Sequence, residues 1–269
     1  MRAFQALVGL FVLCLSGCTS QPADPIPPHE TFELVSAALG ETRRINVYLP
    51  PDYATSTTRL PVLYMPDGGL AEDFPHLANT IDELIRSRVI APCLVVGIEN
   101  TQRRRDLSGP TEVAEDRRVA PVVGGSAKFR AFVADELVPA VEARYRCTAE
   151  RAIVGESLAG LFVVETLLLM PDLFDRYLAM SPSLWWNDRH LVRIAKERLA
   201  ALPATPRTFW FTTANETDIA PHCDALAEIL AAAAPATLTW TYAPRKDLTH
   251  QTIFRSTKAA AFAAALWRP

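Results

Sequence analysis

Short apolar runs alternate with longer stretches of helical spacing along most of this chain. Residues 32–35 and 43–49 read as two strands of an opening antiparallel pair, the second alternating in the strand period, with Gly40-Glu41 between them and Pro50-Pro51-Asp52 after them. A buried strand over 61–65 runs into Asp67-Gly68-Gly69, and 75–87 has helical spacing with Pro75 in its first turn. The apolar strand 93–98 gives way to a polar loop over 99–106 and then to an irregular Pro- and Gly-containing segment ending near Gly125. Residues 127–145 predict an amphipathic helix with Phe129, Phe132, Val133, Leu137, Val141 and Tyr145 near one face. Pro139 is expected to kink or interrupt it.

The second half repeats the alternation. Strands are predicted at 151–154, 177–181, 208–213 and 237–242; helices at 158–170, from about 187 through Leu199, at 221–234 and at 256–266. His250 is expected in the loop between the last strand and the last helix. Strands alternating with helices of this length imply an α/β fold, a mostly parallel central sheet flanked by helices on both faces. In such sheets the loops leaving the C-terminal ends of the strands share one edge, where ligands bind. Ser157, Trp185, Glu216 and His250 all follow strand ends and should meet there.

Composition narrows the possibilities. With 269 residues, 49% of them hydrophobic, the chain can bury one large core, so a single domain over 31–269 is expected. A net charge of -3, from 27 basic and 30 acidic residues without a long like-charge block, excludes nucleic acid as a natural partner. Met1-Arg2, an apolar run over 6–15 and Leu15-Ser16-Gly17-Cys18 form a targeting segment over 1–17, too short to span a bilayer comfortably. It resembles a bacterial lipoprotein signal. That resemblance implies lipid on Cys18, anchoring in a membrane, and, because Thr19 rather than Asp follows, an outer-membrane location facing the periplasm. An ordinary secretory signal is the alternative. The Pro-rich remainder of 18–30 reads as an extended tether. Cys93, Cys147 and Cys223 match no metal-ligand spacing and read as buried small residues, with one disulfide open to them in an oxidising compartment.

The chemistry centres on Gly155-Glu156-Ser157-Leu158-Ala159-Gly160. A strand before it and a helix after it put Ser157 in a strained turn that lifts its hydroxyl clear, with small neighbours making room. The following helix directs free N–H groups at the same spot, so Leu158 N–H is an expected oxyanion donor. A second donor is expected from Gly69 or Leu70, where Asp67-Gly68-Gly69 lets backbone approach a ligand; a bare turn is the other reading. Serine needs a base, normally histidine steadied by a carboxylate. Of five histidines only His250 follows the last strand. Glu216 is the favoured acid, with Asp218, Asp247 or no third member as alternatives. Arg103, Arg104 and Arg105 could clamp an anionic or catecholate substrate or be plain solvated charges, and Trp185-Trp186 could wall a pocket or pack the loop.

These landmarks together resemble the putative-esterase branch of the α/β-hydrolases, which includes bacterial enterochelin esterases and, more distantly, S-formylglutathione hydrolase. The resemblance runs from about Phe32 onward. It is carried by Val47-Tyr-Leu-Pro-Pro-Asp-Tyr53, Leu63-Tyr-Met-Pro-Asp-Gly68, Val96-Gly-Ile-Glu-Asn-Thr101 with Arg105-Asp106, Phe132-Val-Ala-Asp-Glu-Leu-Val-Pro139, Gly155-Glu-Ser-Leu-Ala-Gly-Leu-Phe162 and Ser181-Pro-Ser-Leu-Trp-Trp186. It implies an α/β-hydrolase fold, Ser157 as nucleophile, His250 as base and a small-molecule ester as substrate, with no metal and no cofactor. Glu156 departs from the His usual before that serine. The expectation is a serine esterase working through an acyl-enzyme, with an acyltransferase using the same parts, or a non-catalytic ligand-binding lipoprotein, as alternatives.

Overall fold

The computed structural model describes residues 24–119 and 122–269. Its strands are β1 (Glu30–Ser36), β2 (Glu41–Tyr48), β3 (Leu60–Pro66), β4 (Leu94–Ile98), β5 (Cys147–Glu156), β6 (Arg176–Met180), β7 (Arg207–Thr212) and β8 (Leu238–Tyr242). They form one sheet in the order β1-β2-β4-β3-β5-β6-β7-β8. The β1–β2 and β2–β4 pairs are antiparallel and every later pair is parallel. The opening hairpin thus adds an antiparallel edge to a parallel sheet.

Helices cover both faces: α1 (Phe74–Arg86), α2 (Arg103–Asp106), α3 (Ala114–Val119), α4 (Ser126–Ala131), α5 (Val138–Arg144), α6 (Leu158–Leu169), α7 (Trp186–Ala200), α8 (Ala220–Ala233) and α9 (His250–Ala265). Residue parity in the strands decides which face each apolar side chain serves. Val62 and Tyr64 of β3 join Val96 and Ile153 in a core closed by α4 to α8, whereas Leu63 and Met65 join Val95 and Val154 in a second core closed by α1 and α9. This two-sided burial is why the strands read as unbroken apolar runs. Helix α6 is buried from Leu158 through Leu168, which explains a sequence with no polar stripe.

Three local expectations are revised and one is made specific. The segment after Asp106 is not wholly irregular, since α3 lies in it, and α2 occupies the end of the polar loop before it. The interruption expected at Pro139 takes the form of a π-helical turn, Phe132–Leu137, which joins α4 to α5 and ends just before it. Proline lacks an N–H and crowds the carbonyl four residues back, and a wider turn there relieves both. Strand β5 begins at Cys147, four residues before the apolar run. The last helix begins at His250 rather than Ser256, because Thr249 and Thr252 form a reciprocal capping box.

Residues 1–17, Cys18 and 19–23, expected as signal, lipid site and the first part of the tether, lie outside the described residues. Asp24 to Pro28 carry no helix or strand but lie on the body. Asp24 pairs with Arg255 of α9 at 2.6 Å, and Asn79 of α1 donates to the Pro25 carbonyl at 2.7 Å. Cys93, Cys147 and Cys223 are buried free thiols. Among the described residues no helix is long and apolar enough to cross a membrane.

Candidate active site

Strand β5 ends at Glu156 and α6 begins at Leu158, leaving Ser157 alone in the turn with φ 58° and ψ -117°. A non-glycine residue holds such a conformation only where its surroundings over-determine it. Here they do. Ser157 N–H donates to Met180 O at 2.9 Å, and its carbonyl accepts from Leu161 N–H at 2.8 Å and Ser183 N–H at 3.1 Å. A Cβ on Gly155 would lie 2.6 Å from the carbonyl carbon of Ala159, so only glycine lets the helix start this close to the strand.

Ser183, in the loop after β6, was not singled out from the sequence although it stands inside the Ser181-Pro-Ser motif. Its Oγ lies 3.3 Å from Ser157 Oγ, and its side chain is buried. No periodicity signals such a residue, because its role depends on two loops meeting.

His250 is the first residue of α9, not a loop residue, and its Nδ1 lies 2.9 Å from Glu216 Oε1. Glu216 follows β7, and its other oxygen accepts from Thr213 Oγ1 at 3.2 Å. Burial pushes the Glu216 carboxyl up, but hydrogen bonds from Ser181 and His250 outweigh it and hold the group below the usual carboxylate range. The two loops are tied by Asn215 N–H donating to Leu248 O at 3.1 Å. Asp218 is exposed, and Asp247 is paired with Arg245 at 2.6 Å.

Four neighbouring strands, β5 to β8, therefore deliver Ser157, Ser183, Glu216 and the loop to His250 at one edge. Three strand spacings, roughly 14 Å, separate β5 from β8, so the imidazole must come back across the sheet. His250 is met by Glu216, which follows β7, two strands from β5, and the helix it opens, α9, lies over β6 and β7 beside α1. Burial pushes the Glu156 carboxyl up to about 8, with Asp73 and Asp67 acting in the same direction against Arg103.

The loop after β3 corrects one expectation. Gly69 N–H is committed to Glu72 Oε2 at 2.7 Å, so it is not poised for an oxyanion. Leu70, half-buried, is the remaining candidate of that pair. Asp67, at φ 57°, braces the loop by accepting Arg103 Nε at 2.6 Å, Arg103 Nη2 at 2.7 Å and Asn100 Nδ2 at 2.6 Å. Gly68 sits where a Cβ would meet Ile98 N at 2.2 Å, so this turn crosses directly over the end of β4.

The expected arginine clamp is divided. Arg103 lies near the elbow, within 3.4 Å of Glu156 O, but its fork is spent on Asp67. Arg105 lies in an ion cluster with Glu41 and Asp106, each at 2.7 Å, to which the fully buried Arg43 also belongs. Trp185 is half-buried with its ring 5.6 Å from that of Trp186, and Trp186 is buried with Nε1–H donating to Gly109 O at 2.9 Å.

Known proteins share this architecture. An IroE-like serine hydrolase from Shewanella oneidensis superposes with a TM-score of 0.80 and 26% identity, over 88% of this chain and 79% of that one. The fold is accordingly the α/β-hydrolase fold. Ferri-bacillibactin esterase BesA of Bacillus subtilis is 29% identical over 174 residues, 57% of this chain and 58% of that protein. A siderophore triacetylfusarinine C esterase of Aspergillus fumigatus is 32% identical over 192 residues, 64% of this chain and 61% of that protein. The chain thus spans about three fifths of the length of these curated relatives. The family model described as Esterase, putative esterase, matches residues 36–252, from the end of β1 into the first turn of α9. The chain belongs to the putative esterase family.

Proposed function

We propose that this protein is a serine esterase that hydrolyses carboxylic esters of the siderophore type. The observation that carries the reading is the 2.9 Å pairing of His250 Nδ1 with the buried Glu216 carboxylate, on the sheet edge that also bears the strained Ser157. A carboxylate that stays ionised fixes the imidazole with its proton on Nδ1 and leaves Nε2 to act as base. The siderophore assignment is supported by the activities for which the two curated relatives are named.

In the proposed cycle, Nε2 of His250 takes the Ser157 proton as Oγ bonds to the acyl carbon. Leu158 N–H and Leu70 N–H hold the oxyanion, and the proton passes to the leaving alkoxide as the C–O bond breaks. Water then enters, loses a proton to His250 and releases the acid from Ser157. Ser183 keeps the resting hydroxyl oriented between turnovers.

Purified protein assayed against siderophore, short acyl and feruloyl esters tests this. Hydrolysis should favour the siderophore esters and fall at least about 10³-fold in Ser157→Ala; undiminished turnover would remove the proposal. Lipid attachment at Cys18, with the enzyme held at the outer membrane facing the periplasm, completes the reading and rests on the signal-like sequence before that cysteine.

A further inference from the structure

On the α6 side of the sheet, a cavity of about 380 Å³ opens between α4, α6, α7 and the Gly109-Pro110 stretch. Ser157 is not among its lining residues. Leu161, Glu165 and Leu169 line it from one stripe of α6 at four-residue spacing, which runs away from the elbow. Trp186 lines it too, latched by its hydrogen bond to Gly109 O.

The walls are largely apolar, formed by Leu161, Leu169, Leu191 and the Trp186 indole, with Asn187 and His190 of α7 as further polar lining. One end is not. Ser126, Arg130 and Glu165 line it with relative exposures of 0%, 5% and 7%. Arg130 Nη1 and Glu165 Oε2 form a buried ion pair at 2.9 Å. Beside this pair, among the described residues, Ser126 Oγ is buried without a hydrogen-bond partner. Gly109 keeps the space between them open, since a Cβ there would stand 3.0 Å from Glu165 Oε1 and 3.7 Å from Ser126 Oγ. Buried polar groups are ordinarily satisfied, and an unpartnered hydroxyl beside an ion pair in the lining of an otherwise largely apolar cavity calls for a complement.

We infer that this cavity is a second small-molecule site, separate from the proposed catalytic centre, and that it takes an uncharged aromatic carboxamide. The polar end offers a cation and an anion side by side with no net charge. A charged ligand would meet its own sign there, out of water. A carboxamide presents an acceptor to Arg130 and a donor to Glu165 from adjacent atoms, and its ring fills the apolar walls.

Calorimetric titration of the full chain with benzamide, benzoate and benzylammonium tests this. Benzamide should bind saturably at one site, at least tenfold more tightly than either charged probe, and Ser157→Ala should not change it. Ala127→Trp, at the exposed rim, should weaken binding at least tenfold while thermal unfolding shows the fold intact. Glu165→Gln, which leaves the Arg130 charge unopposed, should reverse the order so that benzoate binds more tightly than benzamide. Should that variant fail to fold, Ala127→Trp alone decides. Absence of saturable benzamide binding, equal affinity for the three probes, or unchanged binding in Ala127→Trp would overturn the inference.

Discussion

Glu156 is held beside Ser157 in a setting that disfavours its charge. Its carboxyl sits at about 8, raised first by burial and then by Asp73 and Asp67. The unfolded chain releases that proton near pH ~4.3. Between there and about pH 8 the folded protein keeps a proton that the unfolded form has lost, so stability declines as pH rises through that window. Glu156→Gln has no such proton. Its melting temperature should fall less than that of the wild type between about pH 5 and pH 8, and equal declines would show that Glu156 is not the group responsible. For the neighbouring pair, Glu216→Gln should lower kcat about 10²- to 10⁴-fold with the fold retained, whereas Asp218→Asn, exposed nearby, should leave it within about twofold. Steady-state kinetics on both variants separates the two candidate acids. At this scale the serine motif and the chain order of serine, carboxylate and histidine were legible. Ser183 beside the hydroxyl and Glu72 on the Gly69 amide were not, because each depends on where a different loop arrives.

Helix α9 is the element on which the proposed site most depends, since its first residue is His250. Thr249 caps it, accepting from the Thr252 backbone while its own N–H donates to Thr252 Oγ1 at 3.0 Å. Thr249→Ala should cost about 1 kcal/mol of stability and lower kcat as well, because the imidazole rides on the frayed turn; Thr249→Ser should restore both. Thermal melts and kcat measured together check this, and a stability loss with kcat unchanged would mean that the cap does not position His250. The same cap explains a misplaced boundary. The usual sequence sign is Ser or Thr followed three residues later by Glu or Gln, and Thr-x-x-Thr hides the start. Strands and long helices were legible from apolar spacing, but the π-helical turn before Pro139 and the short α2 and α3 were not. Their helical character is too brief to leave a period in the sequence.

The described fold is built on one sheet whose proposed catalytic edge is assembled from distant parts of the chain. Alternation of strands and helices was enough to foresee parallel pairing, yet not that β2 would pair with β4 rather than β3, since register and order are set by tertiary packing. The approach to the body is also specific: residues leading out of the tether lie on α1 and α9, through Asp24 with Arg255 and Pro25 with Asn79. If Cys18 bears the proposed anchor, Cys18→Ser should move the protein from the membrane pellet to the soluble fraction after cell fractionation. Ester hydrolysis per molecule should stay within about twofold, because the described fold begins beyond that residue. The central claim is that Ser157 is made nucleophilic by His250, and intact-mass analysis after exposure to a fluorophosphonate probes it most directly. The account predicts one adduct, located on Ser157, absent from Ser157→Ala and formed at least about 10²-fold more slowly in His250→Ala. An adduct on another residue, or labelling of Ser157 at an undiminished rate without the imidazole, would contradict it.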